Sequence, residues 1–273
     1  MDWQKSWILR VYNNPAGTRR AILSLPRKSG KTCLSATLLL THLVGPAAVP
    51  NSQLYSAAQS RDQAALVYAL AAKIVRMSPR LSAAIVCKDG TKQLVCPARG
   101  TVYRALSSEH STAYGLSPVF VCHDELGLTR GVRSPLYEAL ESGSAAQLAP
   151  LSLVISTQAP SDDALLSVLI DDALAGHDPR VICSLYTAPP DADPFDIETI
   201  KLANPAPVFS HSPQSSSASA GLLTLERLFG QHFLVCPFAW RDRVLGIDTH
   251  IWPAACVDTN PAPCTQRFAF AGK

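Results

Sequence analysis

The chain of 273 residues is 47% hydrophobic and 16% charged, and its formal net charge is +3. That length suffices for one large domain, and the slight positive charge permits a nucleic-acid partner without requiring one. No CxxC pair occurs among the eight cysteines, which disfavours a zinc site, and the most apolar stretch, residues 34–49, is too short and too interrupted to span a bilayer. We therefore expect a soluble, cytoplasmic protein that does not contact membranes and whose cysteines are mostly reduced core residues.

Apolar strands alternate with helical segments as far as residue 188. The predicted strands are 21–25, 52–58, 118–125, 151–158 and 180–188. The predicted helices are 32–44, 60–78, 134–143 and 162–176. Three further strand-like runs between the second helix and residue 118 resemble a small β insertion. Continuous apolar strands of this kind form a mostly parallel sheet with helices on both faces, so the predicted fold class is α/β.

The composition changes near residue 205. Residues 210–221, SHSPQSSSASAG, have the low complexity of a linker, and the segment beyond them shows no clean helical or strand period. We therefore expect a folded domain over 1–205 and an irregular tail, poorly ordered or loosely attached, over 206–273.

The segment PRKSGKT, residues 26–32, lies between a buried strand and a buried helix, which is the context of a phosphate-binding loop. The match is partial, because the usual first glycine falls at Leu25. Backbone N–H groups at the helix N-terminus would cradle phosphates, Lys31 would reach the β- and γ-phosphates, and the Thr32 hydroxyl would bind Mg²⁺. The alternative is a basic surface turn. The residues predicted to bind ATP in this loop are Ser29, Gly30, Lys31 and Thr32.

The strand at 118–125 ends in two acids, Asp124 and Glu125, which is the pattern of a Walker B strand. Asp124 would help to hold Mg²⁺, and Glu125 would orient the attacking water as the catalytic base. An acid pair that merely ends a strand in a solvated loop is the alternative, and the upstream Gly-Lys-Thr disfavours it. We expect His123 to be a structural neighbour rather than a catalyst.

A third strand ends in Ser156, Thr157 and Gln158. Polar residues at the carboxyl end of a central strand point into the crevice where α/β proteins bind ligands. These three residues could sense the γ-phosphate and couple hydrolysis to movement. The alternative is ordinary hydrogen bonding at the end of a strand.

In this order, PRKSGKT, the Asp-Glu pair and Ser-Thr-Gln resemble the large terminase subunit of tailed bacteriophages, the DNA-packaging motor. The likeness extends through the intervening sequence, from about residue 3 to residue 205. It implies a RecA/ASCE-like P-loop NTPase that uses ATP and Mg²⁺ to move double-stranded DNA into a procapsid in the host bacterial cytoplasm. It also implies a homo-oligomeric ring, with the portal protein and the small terminase subunit as partners.

The resemblance adds two residues to the predicted site. Arg27 matches the loop arginine of the family, a candidate finger on the γ-phosphate, and the alternative is a phosphate or DNA contact without catalytic effect. Gln4 matches the glutamine that contacts adenine in this family. The alternative is an ordinary surface glutamine without a role in binding. Lys28 would help near phosphate or DNA.

The family also carries a C-terminal nuclease domain, which needs several carboxylates around two metals. The acids after residue 205 are only Glu226, Asp242, Asp248 and Asp258. We therefore expect nuclease activity to be absent, with a truncated or frameshifted remnant in its place. Two other functions stay open at this point: another nucleic-acid-dependent P-loop ATPase, and a non-catalytic prophage remnant that only binds nucleotide.

Overall fold

The computed structural model describes residues 2–27, 29–107, 115–129, 131–189, 192–193 and 195–205. Its strands are β1 (Arg20–Ser24), β2 (Gln53–Ala58), β3 (Val86–Lys88), β4 (Gln93–Cys96), β5 (Thr101–Ser107), β6 (Pro118–Asp124), β7 (Leu151–Ser156) and β8 (Val181–Leu185). They form one eight-stranded sheet in the order β3-β4-β5-β2-β6-β7-β1-β8. The order places the carboxyl ends of β1, β6 and β7 side by side, where ligands bind in sheets of this kind.

The described helices are α1 (Asp2–Tyr12), α2 (Lys31–Leu43), α3 (Arg61–Met77), α4 (Pro79–Ala84), α5 (Pro135–Ser144), α6 (Leu165–Ala175) and α7 (Ile197–Ala203). The structure contains each helix and strand predicted from the sequence, with ends that differ by a few residues. Helices α1, α4 and α7 were not predicted. None of the helices in the described part of the chain is long and apolar enough to cross a membrane.

Strands β1, β2, β5, β6, β7 and β8 pair in parallel, so the predicted α/β class with a mostly parallel sheet is confirmed. The hairpin of β3 and β4 extends the sheet antiparallel to β5 and fits the predicted insertion. The third run assigned to that insertion, β5, belongs instead to the main parallel sheet. Its Tyr103 is fully buried and shares a hydrogen bond of 2.6 Å with the Ser56 hydroxyl on β2, which fixes β5 in the core.

Helices cover both faces of the sheet, but unequally. On one face, here called the α2 face, α1, α2 and α3 pack in a single large apolar cluster that includes Leu38, Phe120 and Leu153. On the other, the α5 face, α5 and α6 pack in two smaller clusters. Successive residues of a strand point to opposite faces, so Phe120 and Asp124 face α2 whereas Val121 and His123 face α5.

The five cysteines in the described part of the chain are free thiols. Three of them are buried in the core: Cys33, Cys96 and Cys122. The other two, Cys87 and Cys183, are half-buried. The predicted tail over 206–273 lies outside the described residues.

Candidate active site

The loop between β1 and α2 owes its shape to Gly30. This residue precedes the first residue of α2 and has a φ of 78°, in the left-handed region that glycine adopts without strain. Leu25, which stands where the usual first glycine would be, is buried and does not have a positive φ. Its backbone N–H donates to the carbonyl oxygen of Ser156 at 3.0 Å. The backbone at this position therefore does not require glycine, which explains the partial motif.

The Lys31 side chain folds back over this loop. Its ammonium donates to the carbonyl oxygens of Leu25 at 2.8 Å and Pro26 at 3.0 Å, and it lies 3.4 Å from a carboxylate oxygen of Glu125. Burial lowers the pKa of Lys31, and the nearby charge of Arg27 lowers it further. The attraction of Glu125 opposes both effects. The structure thus brings the predicted phosphate-binding lysine and the predicted base into direct contact.

Asp124 is almost completely buried at the end of β6, on the α2 face. Burial, together with the negative charge of Glu125, raises the pKa of Asp124 to about 7, although Lys31 acts in the opposite direction. A divalent cation beside this carboxyl group would add to the positive charge of Lys31 and offset the cost of burying a carboxylate. The described residues contain no group of three or more His, Cys, Asp or Glu side chains able to hold a metal. Mg²⁺ does not need one, because it binds through one or two protein oxygens together with water and phosphates.

Glu125 leaves the strand in a left-handed conformation, with a φ of 54°. A non-glycine residue in this region is uncommon and is often found at functional sites. One carboxylate oxygen, Oε2, accepts hydrogen bonds from the N–H and the hydroxyl of Thr157, each at 3.0 Å, and a longer one from the Ser156 hydroxyl at 3.4 Å. Two of the three residues predicted to couple hydrolysis to movement therefore hold the predicted base.

Gly127 completes this arrangement and was missed by the sequence analysis. Its N–H donates to the Ser156 hydroxyl at 2.8 Å. A Cβ at this position would lie 2.6 Å from the carbonyl oxygen of Thr157, so a larger residue would push the turn after β6 away from the end of β7. The only signal in the sequence was a glycine two residues after the acid pair.

The remaining predicted residues lie at different depths. Ser29 is buried and its hydroxyl donates to the Pro26 carbonyl oxygen, whereas Thr32 is half-buried in the first turn of α2. Arg27 and Gln158 are exposed. Gln158 is thus more exposed than Ser156, which is buried, and Thr157, which is half-buried. The position of Lys28 lies outside the described residues.

Gln4 lies in α1 and is completely buried, not at the surface. Neither its amide nitrogen nor its amide oxygen has a hydrogen-bond partner in the described part of the chain. Leaving a buried polar group without a partner costs about 1–3 kcal/mol. A ligand that offers both an acceptor and a donor would satisfy this amide.

His123 points away from the loop, toward α5. Its ring lies 4.7 Å from that of Tyr137, and its Nε2 lies 3.3 Å from a carboxylate oxygen of Glu141. The other oxygen of Glu141 accepts from Arg20 at 2.7 Å. Burial alone would raise the pKa of Glu141, but the hydrogen bond and charge of His123 and the charge of Arg20 lower it to about 2. Through these contacts the buried His123 joins the half-buried Arg20 and Glu141 in a polar network behind the acid pair.

A parallel sheet in which a Gly-Lys-Thr loop contacts an Asp-Glu pair on a nearby strand defines the class of P-loop NTPases. The family model for the ATPase domain of the terminase large subunit matches residues 2–173. Because the match covers more than half of the 273 residues, this chain belongs to that family.

Known relatives agree with this assignment. The chain is 47% identical over 204 residues to the large subunit of the terminase of Enterobacteria phage HK97, a match that covers 75% of this chain and 40% of the relative. The crystal structure of the HK97 large terminase superposes with a TM-score of 0.76 at 43% identity and covers 84% of this chain. The large terminase of a thermophilic bacteriophage, at 9% identity and a TM-score of 0.50, matches over 72% of this chain and 48% of its own length and shares the fold. The chain thus spans less than half the length of the HK97 protein it matches, 40% in sequence and 48% in structure.

Proposed function

We propose that this chain hydrolyses ATP to drive double-stranded DNA into a phage procapsid. The observation that carries the proposal is the 3.4 Å approach of Lys31 to Glu125. This short distance brings two groups together in a single centre: a lysine suited to binding phosphate and a carboxylate suited to orienting water. The membership of the chain in the terminase large-subunit family supports the same function.

Binding of ATP would begin at the N-terminus of α2. Backbone N–H groups at Ser29 and Gly30 would surround the phosphates, and the Lys31 ammonium would exchange its carbonyl partners for phosphate oxygens. Mg²⁺, when held by Asp124 and the Thr32 hydroxyl, would neutralise charge on those phosphates. The buried carboxyl group of Asp124, with its raised pKa, fits this role because it needs a cation to stay ionised.

Hydrolysis would depend on Glu125. Its carboxylate would orient a water molecule toward the γ-phosphorus and take up the proton as the bond to ADP breaks. The hydrogen bonds from Thr157 and Ser156 fix one oxygen and leave the other facing Lys31. Arg27, exposed on the loop, would stabilise the transition state in its own subunit or a neighbouring one.

Coupling would pass through Ser156 and Thr157. Because both hold Glu125, a change in the position of that carboxylate during the ATP cycle alters the contacts at the end of β7. Gln158, exposed next to them, would extend this segment toward a partner. Gln4 would read adenine, since its amide offers the donor and acceptor that match the N7 and N6 positions of that base.

The proposed partners are double-stranded DNA, the portal protein and the small terminase subunit, with the chain acting in a homo-oligomeric ring. The proposed location is the host bacterial cytoplasm, at the procapsid during packaging. These assignments extend to this chain what its family and the HK97 relative suggest.

Steady-state ATP turnover, measured with and without linear duplex DNA, tests the proposal. We expect the parent chain to hydrolyse ATP and to respond to DNA, and Lys31→Ala to lose turnover on the order of a hundredfold or more. The matched control is Lys201→Ala, an equivalent change at an exposed position on α7. Equal turnover in the parent and Lys31→Ala would refute the catalytic assignment, and turnover indifferent to DNA would refute the assigned partner.

A further inference from the structure

On the α5 face, no helix or strand in the described part of the chain covers the sheet over β3, β4 and β5. The face of β3, β4 and β5 that points away from α3 presents two rows of side chains, as the strand registers define them. The apolar row consists of Val86, Val95 and Val102. The polar and basic row, here called the basic row, consists of Lys88, Gln93 and Arg104. Lys88, Arg104 and Val86 are exposed and the other three are half-buried, so none of the described residues closes this face to a partner.

The basic row has a regular spacing. Lys88 lies opposite Gln93, which in turn lies opposite Arg104. Since neighbouring strands are about 4.8 Å apart, the backbone positions of Lys88 and Arg104 lie about 10 Å apart, with Gln93 between them. Next in the row, on β2, is Tyr55.

No carboxylate offsets these charges. Within the described ranges, neither Lys88 nor Arg104 forms an ion pair, and neither row contains an acid. The acid nearest in sequence, Asp89, is held toward α3 by Arg76 and by the Tyr68 hydroxyl, the latter at 2.9 Å. The open face is therefore a surface of positive charge.

A cleft of about 270 Å³ opens beside Arg104. Tyr55 lines it and donates its hydroxyl hydrogen to the Gln53 side-chain oxygen at 2.9 Å, which leaves the Gln53 amide hydrogens available. Ser52 also lines the cleft, and its buried hydroxyl has no hydrogen-bond partner among the described residues. Among the described residues that line it, the cleft has a guanidinium, an amide and a buried hydroxyl but no carboxylate, which is a donor set that suits a phosphate group.

We propose that this open face, defined by Lys88, Gln93, Arg104 and the cleft beside them, binds the phosphate backbone of the double-stranded DNA that the motor moves. The proposal rests on the proposed function and assigns its DNA partner to a surface. Phosphate contacts of this kind bind duplex DNA without reading its sequence, as a packaging motor requires.

The open face lies close in the sheet to the proposed site of ATP hydrolysis. Strand β5, which carries Arg104, pairs with β2, and β2 pairs with β6, which ends at Asp124. A single strand thus separates the proposed DNA contact from the acid pair.

The test is the salt dependence of binding to a fluorescent linear duplex, measured by anisotropy over about 50–200 mM salt. The variant is Lys88→Gln with Arg104→Gln in the full chain. The matched control is Lys201→Gln with Arg180→Gln, which removes one lysine charge from α7 and one arginine charge next to β8, the strand at the opposite edge of the sheet. ATP turnover without DNA and thermal unfolding are measured on all three proteins.

We expect the Lys88/Arg104 variant to bind on the order of tenfold more weakly at low salt, with a slope of log affinity against log salt that is smaller by about two. Its turnover without DNA and its unfolding should match the parent, and the control should bind DNA as the parent does.

Parental affinity and slope in the Lys88/Arg104 variant would overturn the surface assignment while leaving the proposed function intact. An equal loss in variant and control would also overturn it, because net charge alone would then explain binding. If the variant changed only self-association, the face would be a protein contact and the proposal wrong. A parent chain that hydrolyses ATP but does not bind duplex DNA would refute both the surface and the DNA part of the proposed function.

Discussion

The two faces of the sheet are stabilised in different ways. On the α2 face, one continuous apolar cluster fixes α2, and with it the loop that carries Lys31. On the α5 face, apolar contacts are divided into two small clusters, and a partly buried network of Arg20, His123 and Glu141 lies with them. On the same face, none of the described helices covers β3, β4 and β5.

This difference matches what each face must do. A helix that positions a phosphate-binding loop needs a rigid support, which dense apolar packing provides. Charged networks and open surfaces stabilise less, but they offer groups that can exchange partners. If the proposed function holds, nucleotide chemistry would lie on the well-packed face, and contacts that change during movement would lie on the other.

Among the changes that compare the two faces, the largest expected effect is on turnover, from Asp124→Asn on the α2 face. Loss of a carboxylate proposed to hold Mg²⁺ should reduce ATP turnover on the order of a hundredfold or more. The thermal unfolding temperature should stay the same or rise, because the change removes a poorly compensated buried acid. Asp62→Asn, in the first turn of α3, is the matched control and should alter neither quantity. Full turnover in Asp124→Asn at low Mg²⁺ would contradict the assignment.

Packing on the two faces can be compared through urea unfolding. Leu38→Ala, in the centre of the α2-face cluster, should lower the free energy of unfolding by about 2–5 kcal/mol, since it leaves a cavity. Val86→Ala, on the uncovered part of the α5 face, should cost less than about 0.5 kcal/mol. Similar costs at the two positions would show that the faces do not differ in packing.

The charged network on the α5 face should make the free energy of unfolding depend on pH in the acid range. The pKa of Glu141 is about 2 in the folded chain, below its ordinary value of 4.5. A lowered folded pKa stabilises the chain above the unfolded pKa, and this contribution is lost as the pH falls from about 4.5 to 2. It amounts to on the order of 3 kcal/mol at neutral pH.

Glu141→Gln should therefore lower the free energy of unfolding at pH 7 and flatten its decline in acid. The comparison variant is Glu198→Gln, which breaks an exposed ion pair with Lys201 and should change little. An acid transition as steep in Glu141→Gln as in the parent would mean that the network does not contribute in this way.

The smallest expected difference concerns the helix caps on the two faces. The Ser60 hydroxyl accepts from the Gln63 N–H at 3.2 Å at the start of α3, and the Ser134 hydroxyl accepts from the Tyr137 N–H at 3.4 Å at the start of α5. Ser60→Ala should cost about 1 kcal/mol in urea unfolding, and Ser134→Ala less because its bond is longer. The reverse order would show that cap geometry does not decide these costs.

Local patterns made much of the α2 face predictable. Thr32 to Val44 reads as an apolar helix, and Gly30, Lys31 and Thr32 predict a phosphate-binding loop before it. Helix α1 was harder to find, because Trp7, Ile8 and Val11 have helical spacing but stand among charged residues.

The α5 face depends on contacts that sequence spacing does not reveal. Arg20 and Glu141 are separated by 121 positions, and neither has a distinctive neighbour in the sequence. Gly127 is needed only because the end of β7 approaches it in space. Helix periods and motifs describe one segment at a time, so they miss features that two distant segments create together.

The most direct test of the account separates ATP binding from ATP cleavage in Glu125→Gln. If Glu125 orients the attacking water while Lys31 binds phosphate, this variant should bind a fluorescent ATP analogue as tightly as the parent does. Its turnover should fall on the order of a hundredfold to ten-thousandfold. The control is Glu138→Gln, which removes an acid on α5 that pairs with Arg133, and it should keep both activities. Parental turnover in Glu125→Gln would contradict the central claim that Lys31 and Glu125 form one hydrolytic centre.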